Sequence, residues 1–262
     1  MAYYTIQEML IDLHIHTRLS DGQNSPAAMI NAAIRKGIKC IAFADHNDCR
    51  AYRKGMNYIR KKKLGNKIWL IPGIEFTCVE HRHLVSMAHQ KHLVVVGVGQ
   101  KNIEKMVRIY KKQEKLFMLI DVLEWAKKHN GLVIAPHPNI FGGIGSMNLQ
   151  EIIKYSKYID VIEEHNGSNR QGYPKFMYNW FHNNRVEIAK ICHLPMMANS
   201  DAHMNFIVGR YFDTEILGEP KNKEQVIEYV RKGLCQSHLR PGYFQKIIKK
   251  SKAIVKSMLY SK

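Results

Sequence analysis

The stretch Leu10-Ile-Asp-Leu-His-Ile-His16, followed by Ser25-Pro26 and then Gly37, sets how the rest of the chain is read. Leu10 to Ile15 is a short apolar run suited to a buried strand. Ser25 is a helix N-cap, Pro26 takes the first helical position, and Gly37 falls where a helix ends in a left-handed residue. A second apolar run, Lys39 to Ala44, follows at once. The unit recurs, with runs at 68–74, 93–98, 132–135, 159–162 and 195–198 and helical stretches near 50–63, 102–129, 148–157, 175–193 and 223–232. Seven strands alternating with helices predict a parallel sheet covered by helices, open or closed. Nearly every run ends on a histidine or carboxylate: His14 and His16, Asp45 and His46, Glu75, His137, Glu163 and His165, Asp201 and His203. In a closed βα barrel the strand C-termini meet at one mouth, whereas an open sheet spreads them.

The 262 residues, 45% hydrophobic and 24% charged, suffice for a full core, which excludes a disordered chain. No run approaches the roughly 18 apolar residues of a membrane helix. The N-terminus carries no basic start leading into an apolar stretch, so a cytoplasmic location is expected. The five cysteines are scattered without a Cys-x-x-Cys pair and are expected as thiols. Forty Lys and Arg against 22 Asp and Glu give +18, which favours an anionic partner such as a phosphate ester or nucleic acid. Residues 1–240 are expected to form the barrel. Residues 241–262, with Ile247, Ile248, Ile254 and Val255 at helical spacing among lysines, are expected as a basic amphipathic helix packed on it.

His14 and His16 lie two apart in a strand and share a face, with Asp12 one step back. Two buried imidazoles are costly unless they bind something. Asp201 and His203 repeat the spacing, and Asp45-His46, Glu75 and His137 add donors from other strands. Imidazoles and carboxylates without thiolate suit Zn, Mn or Fe, and there are too many for one ion. Two or three divalent cations together suit hydrolysis of phosphate esters.

These residues form a known constellation. Asp12-Leu-His-Ile-His-Thr17, Ser20-Asp-Gly22, Ala44-Asp-His-Asn47, Pro72-Gly-Ile-Glu-Phe-Thr77, His92-Leu-Val-Val-Val-Gly97, Ala135-Pro-His-Pro138 and Asn199-Ser-Asp-Ala-His203 together resemble the PHP (polymerase and histidinol phosphatase) superfamily. The resemblance runs from residue 10 to about 235. It implies a distorted, TIM-like (β/α)7 barrel with parallel strands, a trinuclear metal centre at the C-terminal mouth and phosphoesterase chemistry. It also implies one ion on His14, His16, Glu75 and Asp201, a second on Glu75, His92 and His137, and a third on Asp21, His46 and His203. Asp12 and Asp45 would orient imidazoles.

Three departures matter. Many relatives have a histidine where Asp21 stands, and the Ser-Asp-Gly form resembles small enzymes acting on nucleotides and short RNA or oligonucleotide ends. His165 stands where an apolar residue is usual, as a substrate contact and candidate proton donor or as a buried residue satisfied by a neighbour. A single helix over 102–131 would replace a helical insert, leaving the site without a cap. Arg18, Arg170 and Arg210 are the candidates for binding phosphate. His81, His83 and His89 are expected in an exposed loop.

The expected activity is metal-dependent hydrolysis of nucleotides or other small phosphomonoesters. A hydroxide bridging two ions would attack, Glu75 would fix their spacing, and Arg18 would stabilise the phosphoryl charge. The alternatives are an exonuclease trimming single-stranded DNA or RNA ends and a non-catalytic metal-binding regulatory module.

Overall fold

The computed structural model describes residues 9–81, 86, 89–112, 116–139, 145–168 and 174–240. Arg170, His83 and the expected C-terminal helix at 241–262 lie outside the described residues. The first unit forms as its sequence dictates. β1 (Met9–Ile15) leads to α1 (Pro26–Arg35), where the Ser25 side chain accepts from Ala28 N at 3.3 Å and Gly37 takes φ 76°. β2 (Ile38–Phe43) then pairs parallel to β1. α2 (Arg50–Lys61), β3 (Trp69–Ile71), β4 (Gly73–Val79), β5 (Gln90–Val96) and α3 (Gln100–Lys112) follow. β6 (Phe117–Met118), α4 (Leu119–Lys128), β7 (Leu132–Ala135), α5 (Leu149–Tyr155), β8 (Val161–Asn166) and α6 (Lys175–Cys192) continue the chain. β9 (Met196–Asn199), β10 (Phe212–Ile216), α7 (Lys223–Arg231) and β11 (Cys235–Leu239) complete it.

The result is a mixed α/β fold with two sheets, in the orders β11-β10-β1-β2-β3 and β6-β4-β5-β7-β8-β9. No continuous closed sheet is found among the described residues. Single parallel bridges, Ile15 to Ala202 and His46 to Glu75, stand at the two seams. Side chains take over there from the backbone ladder. At one seam Leu13 N donates to Asn199 Oδ1 (2.8 Å) and Ser200 N to Asp12 Oδ1 (3.1 Å), and at the other Thr77 N donates to Asn47 Oδ1 (2.9 Å).

Three expectations need correction. The strands are not all parallel: β5 runs against β4 and β7, because a connection of about ten residues between Val79 and Gln90 is too short for a parallel crossover. The 102–131 stretch is not one helix, because Phe117 and Met118 pair with Cys78 and Val79 and Phe117 packs edge-on to Phe76 at 4.9 Å. Finally, β10 and β11 extend the first sheet as an antiparallel pair.

Inside, Ile11, Leu13, Cys40, Ala42, Val94, Val96, Ile134, Val161 and Met197 form one apolar core, joined by Val226, Ile227 and Val230 of α7. On β2, β4, β5 and β9 a polar residue at the mouth end continues the inward-facing alternation of its strand, while after β7 the left-handed turn at His137 (φ 34°) breaks it. A register shift in β1 between Asp12 and Ile15 rephases that strand, so that Ile11 serves the core below and His14 and His16 the mouth above.

Candidate metal centre

At the mouth, four donor atoms stand close together in the interior. His14 Nε2 lies 3.1 Å from His16 Nε2, 3.5 Å from Glu75 Oε2 and 3.4 Å from Asp201 Oδ1; His16 Nε2 lies 3.2 Å from both carboxylate oxygens. Donors each about 2.1 Å from a tetrahedral ion stand about 3.4 Å apart, which is the spacing among His14, His16 and Asp201 and between either imidazole and Glu75. The other oxygen of Glu75 faces His92 Nδ1 at 3.3 Å and His137 Nε2 at 3.6 Å, while His46 Nδ1 lies 3.3 Å from its Oε2. Asp21 faces His16 (3.3 Å), His46 (3.5 Å) and His203 (3.0 Å). Seven of the nine expected donors line one cavity of about 260 Å³, and the other two, His14 and Asp21, lie within 3.5 Å of residues that do, although the nine come from segments up to about 190 residues apart in the chain.

Their chemistry suits cations. His16 Nδ1, His46 Nδ1 and Glu75 Oε1 are buried without a hydrogen-bond partner despite the carboxylate or imidazole atoms 3.3 Å away. Unsatisfied buried lone pairs pointing at one another are costly unless positive charge sits between them. Burial opposes protonation of His14 and His16, yet the neighbouring carboxylates Asp201, Glu163, Glu75 and Asp21 hold both imidazoles well above their ordinary pKa. The same attraction overrides burial in Glu75, Asp201 and Asp21 and holds them below the ordinary carboxylate range. The cage attracts protons when nothing heavier occupies it.

Glu163 orients the donors. Its Oε1 meets His14 Nδ1 at 3.0 Å, leaving Nε2 to face the cluster, and Oε2 accepts from His137 N at 2.8 Å. Asn166 and Asn199 hold Glu163 at 2.7 and 3.0 Å. Asp12 and Asp45 do different work from that expected of them. Asp12 ties Ser200 N across the seam, and burial raises its pKa to about 7. Asp45 accepts from Thr17 N, Thr17 Oγ1 and Ser20 Oγ at 2.7–2.8 Å and so shapes the loop that carries Asp21.

Of the expected phosphate-binding arginines, the two that lie among the described residues, Arg18 and Arg210, do not line the cavity. Arg18 is exposed, and Arg210 lies over the rings of Phe206 and Tyr211. Arg185 lines the cavity instead: it is 1% exposed, with Nε donating to Pro138 O (2.9 Å) and Nη1 to Glu164 O (3.3 Å). The signal was an arginine continuing the helical series Tyr178, Phe181, Ile188, which burial elsewhere fills with apolar residues.

His165 also departs from the role of proton donor. A register shift between Glu163 and His165 turns Glu164 and His165 toward α6 while Glu163 and Asn166 keep to the mouth. There His165 stacks on His182 at 4.2 Å and its Nδ1 meets Tyr178 Oη at 2.6 Å. Burial, with Glu164 acting against it and His182 and Arg185 with it, holds its pKa at about 4, so the ring is neutral near pH 7 and lacks the imidazolium proton a general acid needs. Because the unfolded chain binds the proton near 6.5 and the folded chain only near 4, acidification through that window removes stability, by up to about 3 kcal/mol. His165→Asn should therefore lose less of its melting temperature between pH 6.5 and 4 than the parent; equal losses would assign the acid sensitivity elsewhere.

A model of the PHP domain matches residues 12–173, more than half of the chain. The chain belongs to the PHP domain family. Among curated relatives, a 5'-3' exoribonuclease Rnm of Escherichia coli (strain K12) is 32% identical over 75 residues, and that of Salmonella typhimurium 31%. The matched stretch covers 29% of this chain and about a quarter of either relative's length (25%). Solved structures agree in fold. A two-domain Bacteroides vulgatus protein containing a predicted PHP-like metal-dependent phosphoesterase superposes with TM-score 0.65 at 16% identity, over 90% of this chain and 66% of the other. PsfC of Pseudomonas syringae gives TM-score 0.62 at 16% identity over 96% and 99%. Likenesses at such identity speak for the PHP fold alone.

Proposed function

We propose that the chain is a PHP-type metal-dependent phosphoesterase acting on nucleotides or other small phosphomonoesters. The observation that carries the reading is that the His14 and His16 imidazoles lie 3.1 Å apart and each lies 3.2–3.5 Å from a carboxylate oxygen of both Glu75 and Asp201. These residues would hold one divalent ion, Glu75 with His92 and His137 a second, and Asp21 with His46 and His203 a third, with Zn, Mn or Fe suiting the donor set. Bound divalent ions supply Lewis acidity, acidifying water for attack and neutralising phosphoryl oxygens. Glu75 holds the two halves of the cluster at fixed spacing, and Glu163 fixes the His14 tautomer. Arg185, held by two backbone carbonyls, presents a guanidinium at the cavity wall, where its fork suits a phosphoryl group.

The seven strands β1, β2, β4, β5, β7, β8 and β9 act as a distorted (β/α)7 barrel, a reading supported by the bridges at both seams. The barrel domain is proposed to end at residue 240. No described helix is long and apolar enough to cross a membrane, and a cytoplasmic site of action is proposed.

A second reading, an exonuclease acting on single-stranded ends, is favoured by the likeness to 5'-3' exoribonucleases and by the +18 charge. The deciding experiment loads the protein with Mn, Zn or Fe and screens nucleoside monophosphates, p-nitrophenyl phosphate and short oligonucleotides. Hydrolysis is expected. Oligonucleotide cleavage that falls steeply with salt, beside a salt-insensitive small ester, selects the exonuclease. Metal bound tightly without turnover of any ester overturns both readings in favour of a non-catalytic module.

A further inference from the structure

Beside the metal cavity, α2 and α3 meet along a second groove of about 820 Å³. Its walls are cationic. Arg50, Arg53 and Lys54 come from α2 and Arg108, Lys111 and Lys112 from α3, at spacings that put each set on one helix face. Asp48 pairs with Arg50 (2.5 Å) and Glu104 with Arg53 (2.5 Å). Among the described residues, no ion pair to a carboxylate is formed by Lys54, Arg108, Lys111 or Lys112. Like charges four apart on one helix, such as Arg50 with Lys54 and Arg108 with Lys112, weaken it, and facing cations across a cleft add to the repulsion. Asp48 attracts Lys111 and Glu104 attracts Arg108, but two carboxylates face six cations, and a polyanion lying in the groove relieves the excess.

The groove begins at the site. Asp48 follows His46 by two residues, a backbone path of at most about 7 Å. Asn47 pins that path: its N donates to Glu75 O at 2.8 Å and its side chain accepts from Thr77 N. From there the α2 wall runs away from the cavity, Arg50 to Asn57 covering about 10 Å of helix. No aromatic side chain lines the groove, so it offers charge without a platform for stacking bases.

We propose that this groove is the track for the phosphodiester backbone of a single-stranded nucleic acid whose end lies in the metal cavity. The inference rests on the exonuclease reading. Recognition along it is electrostatic and indifferent to base sequence. If Lys54, Arg108, Lys111 and Lys112 each meet one phosphate, raising salt fourfold weakens strand binding about 50-fold; with two of them gone the loss falls to about 7-fold.

The test measures anisotropy of a labelled, hydrolysis-resistant phosphorothioate single strand on the metal-loaded protein across a salt series. Arg108→Gln/Lys111→Gln is compared with the parent and with Lys61→Gln/Lys62→Gln, which removes the same charge elsewhere. The expected result is weaker binding and a shallower salt dependence for the groove variant, little change for the control, and little difference between oligo(dT) and oligo(dA). A groove variant matching the parent, or a control losing as much, overturns the proposal. Turnover of p-nitrophenyl phosphate, measured in parallel, reports the metal centre separately. Its absence in the parent defeats the phosphoesterase reading while the salt series still decides the groove.

Discussion

Glu75→Gln protein, loaded with metal and assayed on p-nitrophenyl phosphate, is expected to retain less than about 1% of parental kcat/KM. Substituting groups that merely orient metal ligands costs about 10–100-fold, and Glu75 stands a step closer to the cluster than those. Its two oxygens face five imidazoles, those of His14, His16, His46, His92 and His137, at 3.2–3.6 Å. The amide replaces one oxygen by a group that cannot act as a ligand and removes the charge both halves of the cage share. Glu163→Gln should fall in the milder 10–100-fold range, because it leaves every proposed ligand in place and loosens only the His14 ring. The pair of variants separates the two roles: equal losses would mean that Glu75 is no more than another orienting group, and an active Glu75→Gln would remove the shared-ligand arrangement altogether.

Chelation should produce the largest change in stability. Each ion present at about 100 times its dissociation constant adds about 2.7 kcal/mol to folding, which for a chain of this size raises the melting temperature by roughly 5–10 °C. Several ions add correspondingly more. The metal-free cage is not inert, since its carboxylates lift His14 and His16 well above their ordinary pKa. Protons and metal therefore compete, so loading releases protons and affinity falls as the solution is acidified through those raised pKa values. Scanning calorimetry with and without chelator, followed by re-addition of Mn or Zn, measures the effect. Superimposable melts would mean that the donors hold nothing tightly.

The strand-helix alternation and the donors were legible because both are written in local pattern: Ser25-Pro26 and Gly37 bracket a helix, and His-x-His in a strand puts two rings on one side. What escaped depended on pairing partners distant in the chain. The reversal of β5 was hinted at by His92, which precedes its apolar run where the other donors end theirs, but only the pairing of Thr77 with His92 makes the direction plain. The register shifts in β1 and β8 leave no mark in the residue alternation, so Asp12 reads on the wrong side, and of the two readings of His165 the buried one, satisfied by Tyr178, emerges only from the structure. Arg185 lay hidden inside a helix, while the exposed Arg18 drew notice through its position beside Asp21. Charge proximity along the chain proved a poor guide to proximity in space.

The two seams in the wall carry a mechanical implication. Toward α7 the two sheets are glued by a shared apolar filling, but at the opposite rim each seam is spanned by one backbone bridge. The cage draws His14, His16 and His46 from one sheet and Glu75, His92, His137 and Asp201 from the other. Cations there would work as a clasp between two half-shells. Stripped of them, the molecule should open rim-first, with amide exchange quickening around Ile15, His46 and Ala202 well before the oily floor lets go.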